Sequence, residues 1–377
     1  MKIKELQISN ILSFEHFDDI AAAPKIAFDD SLNIFIGENG AGKSTVLEVI
    51  NFLFKKVLFT QFNVNQDYYS RKSTITAAEK KQILSPENSR SYSGFRLEPN
   101  WETEDKSQKI RLALQLDDID AENIKNLVDN RDKLNTLALL YTPLAATQEA
   151  ATQNDFIVDV SLNNSDKSFS VTITPNGSDH GYQYLVNYNF YKELINFYNF
   201  EHPDAPISPL YESFTLIGGY RNYYSFSPAI SLGGTSASSQ MQKIRASEYS
   251  RSTNSNESSE PSIFSLVRLR IAEKHYNLYG EQSHGVDCEK EANDQAFLAK
   301  INKRLKLINL EAKIEFSDKQ KWGYSFNFFD LKRNKPLTDI NALSAGQKAI
   351  IHLVFEAYGR GDVKGGLVII DEPEIHL

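Results

Sequence analysis

The run Gly37-x-x-x-x-Gly42-Lys43-Ser44 constrains the fold more than any other stretch of this chain. Glycines at those positions let successive backbone N–H groups close around an anion, in a loop that a strand enters and a helix leaves. The flanks fit that arrangement. Leu32 to Ile36 is nearly continuous apolar sequence and reads as a buried strand ending at Gly37. Thr45 to Phe54 carries Val46, Leu47, Val49, Ile50, Leu53 and Phe54, too apolar for a surface helix and expected to pack deep against a sheet. In such a loop Lys43 is expected to reach the β- and γ-phosphates of a nucleotide and Ser44 to ligate its Mg2+.

Two blocks near the other end of the chain supply complementary chemistry. Leu367 to Ile370 would form a strand delivering Asp371 and Glu372 at its C-terminal end, where α/β sheets place ligands. Asp371 would hold the magnesium through water, and Glu372 would polarise the attacking water as the catalytic base. A plain strand and turn is the alternative, since Glu372-Pro373 is also turn chemistry. Leu343-Ser344-Ala345-Gly346-Gln347 precedes a helix with apolar Ile350, Ile351, Val354, Phe355 and Tyr358. Ser344 and Gln347 have the spacing of a capping box, which explains the serine without a ligand, yet a capped N-terminus with a close-approach glycine also suits an anion.

At 377 residues the chain has room for a core domain plus an insertion. A net charge of −8 argues against the overall basicity common in non-specific nucleic-acid binders, leaving local basic patches open. The single cysteine, Cys288, rules out an intrachain disulfide and a cysteine-only zinc site. The N-terminus lacks a signal-peptide core and no apolar run is long enough to span a bilayer, so a cytoplasmic protein with no membrane partner is expected. The histidines are scattered, without a His-x-x-x-His or His-Asn-His arrangement, so no nuclease activity is expected of the chain by itself.

Between the two ends the sequence is less informative. Residues 3 to 8 alternate like a half-exposed strand, as do 108 to 117 and 156 to 174 around the turn Asn163-Asn164. The stretch 182 to 200 is rich in Tyr and Phe, which offer base-stacking faces or, as aromatics more often do, core-filling volume. From 233 to 262 serine, asparagine and glutamate dominate, predicting a flexible loop. Phe297, Ile301, Leu305 and Ile308 share one helix face, with Lys300, Lys303, Arg304 and Lys306 around it as a solvated face or as phosphate contacts. Strands are expected at 314–316 and 322–328.

Taken in order, Leu6-x-Ile8-x-Asn10-x-x-Ser13-Phe14, the glycine-rich loop, Leu343 to Gln347 and Asp371-Glu372-Pro373-Glu374-Ile375-His376-Leu377 resemble the blocks of ABC-type ATPase heads of the SMC, RecF and OLD group. The resemblance covers the two ends only. It implies an α/β P-loop head with a mixed sheet: an N-terminal lobe at 1–60, an inserted α+β region at 61–310 and a C-terminal lobe at 311–377, apparently truncated. It assigns Gly37, Glu38, Asn39, Gly40, Ala41, Gly42, Lys43, Ser44, Thr45, Ser344, Gly346 and Gln347 to ATP, and Ser44 and Asp371 to Mg2+. It also implies a homodimer sandwiched around ATP, because in this group the signature serine and glycine of one subunit complete the site of another.

The compact middle region and the ending look most like ATPase subunits of bacterial anti-phage systems of the Septu-like, retron-associated or OLD type. A nuclease effector would then be the partner; a RecF-like DNA repair ATPase and an ATP-binding scaffold without turnover are the alternatives. The chain departs from the pattern in several places. Ile11 and Leu12 stand where the group usually has a basic residue, and no Q-loop glutamine is assignable; Arg221, after the expected strand Phe214 to Ile217, reads equally as a residue facing the nucleotide or as an ordinary surface arginine. The sequence given ends before the group's D-loop and switch histidine, and His376 lies too close to Glu372 to replace the latter.

Overall fold

A computed structural model of the protein describes residues 1–60, 62–64, 76–86, 90–141, 154–174, 180–202, 204–211, 214–217, 229–231, 262–280, 287–318, 323–337, 343–359 and 366–371. The chain divides into two compact units, Met1–Thr215 with Lys364–Val368, and Leu216–Val363 with Ile369–Leu377. Of the loop expected at 233–262, residues 233–261 lie outside the described residues, and Ser262 begins a helix.

The first unit contains β1 (Lys2–Ser9), β2 (Ile26–Ala27), β3 (Phe62–Val64), β4 (Leu84–Pro86), β5 (Gln108–Gln115), β6 (Asp155–Asn163) and β7 (Ser168–Thr174). Five of them form one sheet in the order β2-β1-β5-β6-β7. Every neighbouring pair in it is antiparallel, so this sheet is not the mixed one the family resemblance implies. Period-two alternation sorts its faces: Ile110, Leu112 and Leu114 of β5 and Phe156, Val158, Val160 and Leu162 of β6 are all buried. On the opposite face Arg111 and Asp159, directly paired in register, join through two hydrogen bonds of 2.6 and 3.0 Å. The expected hairpin turn forms, with Asn163 paired to Ser168. In β1 the alternation breaks, because Gln7 is as buried as its apolar neighbours. Its amide donates to the carbonyls of Ile20, Ala21 and Ala23 at 3.0, 3.3 and 2.7 Å, offsetting its burial.

The helix Lys43–Phe52 continues into a π-helical segment, Leu53–Leu58. As its composition predicts, it is buried along most of its length, including Val46, Val49, Ile50 and Phe52. The Phe52 ring meets Tyr92, Phe95 and Phe169 edge-on. The aromatic stretch forms the helices His180–Val186 and Tyr188–Glu201, in which Tyr184, Tyr188, Phe190, Tyr191, Phe197 and Tyr198 are buried. Their rings fill a core, with Tyr188 against Phe59 and Phe190 against Phe62.

The second unit is built on β9 (Ala229–Ser231), β10 (Leu310–Asp318), β11 (Gly323–Asp330) and β12 (Lys335–Pro336), with β11 bonded to the other three. Its core collects Phe264, Val267 and Ile271 of the helix Ser262–Gly280, Leu298, Ile301 and Leu305 of Ala296–Leu305, and Ile351 and Phe355 of Ala345–Gly359. Asn302 bonds both backbone groups of Ala312 at 2.8 Å, and Asn293 both of Ile314 at 2.9 Å. Two side chains thus stand in for a neighbouring strand at Ala312 and Ile314, along an edge of β10 that none of the described strands pairs. Lys300, Lys303, Arg304 and Lys306 are exposed. The strand Phe214–Ile217 (β8) pairs with Leu367–Ile370 (β13).

Candidate nucleotide site

The loop 37–42 ends in Gly42, whose φ of +89° and ψ of 6° lie in the left-handed region. Gly40 shares it, with φ +87°. Both are conformations that side-chain-bearing residues adopt rarely. Gly42 is also the N-cap of the Lys43–Phe52 helix and offers no side chain to its first N–H groups. Those donors are left for an anion, and the helix dipole adds positive potential at the same point. Lys43 folds back over the loop, its Nζ donating to the carbonyls of Gly37 at 2.7 Å and Glu38 at 2.9 Å. Ser44 is exposed beside it, whereas Thr45 is buried. One loop therefore presents an ammonium, a hydroxyl and open amide donors in the combination a Mg2+-bound polyphosphate requires.

The strand expected to feed this loop is not formed. Residues 32–36 have no regular structure, and Leu32, Ile34 and Ile36 are 73%, 70% and 90% exposed. A strand needs a neighbour for its N–H and C=O groups, and none of the described strands pairs with this segment. Local bonds hold it instead: Asn33 accepts from Asp29 N at 2.8 Å and donates to Asp29 O at 3.0 Å. Asp30 takes Lys2 at 2.9 Å and Lys4 at 2.6 Å, and these hydrogen bonds, led by that from Lys4, bring its pKa down to about 2.

A close approach to the loop comes from Ser13 and Phe14. A Cβ built on Gly42 would lie 2.7 Å from Ser13 Oγ and 3.0 Å from the Phe14 ring. In the sequence both residues stand in the opening block of the family resemblance, which gives them no spatial role. Residues so far apart along the chain carry no local pattern that would announce their contact.

The remaining expected site residues belong to the second unit. Ser344 N donates to Gln347 Oε1 at 3.1 Å, and Gln347 N to Ser344 Oγ at 3.2 Å, the reciprocal capping box read from the spacing. Gly346 falls in the first turn of the Ala345–Gly359 helix. β13 forms as expected but is only partly buried, with Ile369 6% exposed and Val368 and Ile370 45% and 41%. Asp371 follows it and is half-buried. Glu372, Arg221 and His376 lie outside the described residues. Among the described residues no group of three or more His, Cys, Asp or Glu side chains gathers as a metal cluster, and no helix is long and apolar enough to cross a membrane.

A family model described as "AAA ATPase domain" matches residues 1–377. Two curated relatives, the DNA replication and repair protein RecF of Lactococcus lactis subsp. cremoris strains MG1363 and SK11, are each 40% identical over 53 residues. That segment is 14% of this chain and 13% of each relative's length. Among solved structures, the Smc head domain with a coiled coil and joint derived from Pyrococcus yayanosii aligns with 100% of this chain and 87% of its own, at 11% identity and a TM-score of 0.38.

Proposed function

The chain belongs to the AAA ATPase domain family, and from that premise we infer that it binds and hydrolyses ATP with Mg2+ and uses the ATP state to control a partner effector, a nuclease in bacterial anti-phage defence. The observation that carries the nucleotide part is the loop itself, with left-handed Gly40 and Gly42, Lys43 turned onto the loop's own carbonyls and Ser44 open beside it. An incoming phosphate exchanges those neutral carbonyl partners for charged oxygens, a stronger interaction for the same ammonium. Ser44 and Asp371 are assigned to the magnesium and Glu372 to the attacking water. Ser344, Gly346 and Gln347 are assigned to the nucleotide of a second copy, in an ATP-sandwiched dimer.

The effector role rests on the resemblance of the ending Asp371 to Leu377 and on a middle region without a long coiled coil. A second reading, an ATPase acting on DNA, draws support from the 53-residue similarity to a DNA replication and repair protein. The test is to purify the protein from its native host under gentle conditions, identify what co-elutes, and measure ATP hydrolysis and DNA affinity across a salt series. A stoichiometric nuclease with ATP-dependent cleavage supports the effector reading. Tight, steeply salt-dependent DNA binding with no protein partner replaces it with the DNA reading.

A further inference from the structure

We propose that Asn10 is a positioning residue for the nucleotide loop, fixing a strained turn whose tip holds Gly42 in place; this rests on the assignment of that loop to ATP. Asn10 is fully buried with φ +58°, and Leu12, two residues on, has φ +49°. Left-handed backbone at a non-glycine is uncommon, and at a bulky leucine more so; it persists only where its surroundings over-determine it.

Here the surroundings are a set of bonds centred on one amide. Asn10 Nδ2 donates to the carbonyls of Thr103 at 2.9 Å and Lys106 at 2.8 Å. Its Oδ1 accepts from Asn100 N at 3.2 Å and Thr103 Oγ1 at 2.7 Å. Both donors and both acceptor positions of the amide are thereby used. Asn100 completes the clamp by donating through Nδ2 to Leu12 O at 2.8 Å, while Leu12 N donates to Glu98 O at 2.9 Å. Phe14 N closes the turn onto Ile11 O at 2.9 Å.

The product of this clamp is the position of Ser13 and Phe14. They press on Gly42 closely enough that even a methyl group there would collide. Gly42 in turn sets the direction of the first helical N–H groups and the origin of the Lys43 side chain, so an error in the turn becomes an error in the phosphate cradle. Neither Asn10 nor the 98–106 segment is assigned to nucleotide contact; the effect passes through Gly42.

The test uses the full chain and a fluorescent ATP analogue, with each Kd measured well below every variant's unfolding midpoint. Asn10→Gly keeps access to the left-handed backbone and removes only the amide. Its analogue Kd is expected to rise about tenfold or more while the circular dichroism spectrum is retained. Thr103→Val removes one of the four bonds at a site remote from the loop, and is expected to raise Kd about threefold. A purely structural role would lower the midpoints and leave Kd at its parental value in folded variants, and that result overturns the proposal. If Asn10→Gly does not fold, Thr103→Val decides by the same criterion. Failure of the parental protein to bind the analogue would instead sink the assignment of the loop to ATP.

Discussion

Lys43 Nζ lies 2.7 Å from the carbonyl oxygen of Gly37, at the other end of the same glycine-rich loop, and donates a hydrogen bond to it. On the proposed assignment of this loop to ATP, phosphate oxygens would compete for that donor with full negative charge.

Lys43→Ala is therefore expected to weaken ATP binding by a factor on the order of 100 or more, since no other basic residue stands in the loop. Equilibrium titration with labelled ATP checks this. Parental affinity in a folded Lys43→Ala protein would remove the basis for placing phosphate here.

Glu372→Gln should bind ATP normally and hydrolyse it slower by a factor on the order of 100, because the substitution removes the proposed base and leaves the phosphate cradle untouched. Steady-state phosphate release in the active assembly is the measurement, and an unchanged turnover rate would reassign the base.

Gly42→Ala meets two obstacles, a backbone at φ +89° and a Cβ that would lie 2.7 Å from Ser13 Oγ. The left-handed backbone alone costs about 1–2 kcal/mol. Denaturant unfolding should show at least that loss, together with weaker ATP binding. An alanine variant as stable as the parent would mean that the loop does not hold this conformation.

Phe52→Ala removes a fully buried ring that sits edge-on to Tyr92, Phe95 and Phe169 at centroid distances of 6.2, 5.5 and 5.3 Å. The expected destabilisation is about 3–5 kcal/mol. A midpoint within error of the parent in urea would show that this cluster is not part of the cooperative core.

The hydrogen bond from Lys4, and then that from Lys2, favours the charged form of Asp30 and brings its pKa down to about 2. A carboxylate with a depressed folded-state pKa contributes stability that is fully present above the unfolded value of ~3.9 and is lost as pH falls through the folded one. The window therefore runs from about 4 down to about 2. The group is solvent-exposed, so the contribution is small and the site's own titration is the better readout. Carboxyl NMR should place the Asp30 midpoint near 2 and find it higher in Lys4→Ala; a midpoint that ignores the lysine would separate the two groups.

Local features of this protein were legible in the sequence because their physics is local. The glycine-rich loop that leads into a helix, the turn between β6 and β7, the capping box of Ser344 and Gln347 and the buried helix after Lys43 each depend on residues within a turn or two of one another, where residue type and spacing suffice. The aromatic stretch was legible for another reason: so much apolar area has few places to go but inward. Only the tertiary structure decided the rest. Leu32 to Ile36 has the composition of a buried strand, yet a strand exists only with a partner, and the segment is held instead by Asn33 on Asp29 and by two lysines on Asp30. Asn10 stands in sequence within a block that resembles a family motif, which names none of its partners; its bonds to Asn100, Thr103 and Lys106 cross 90 or more positions, and only the folded chain brings them together around the turn that meets Gly42.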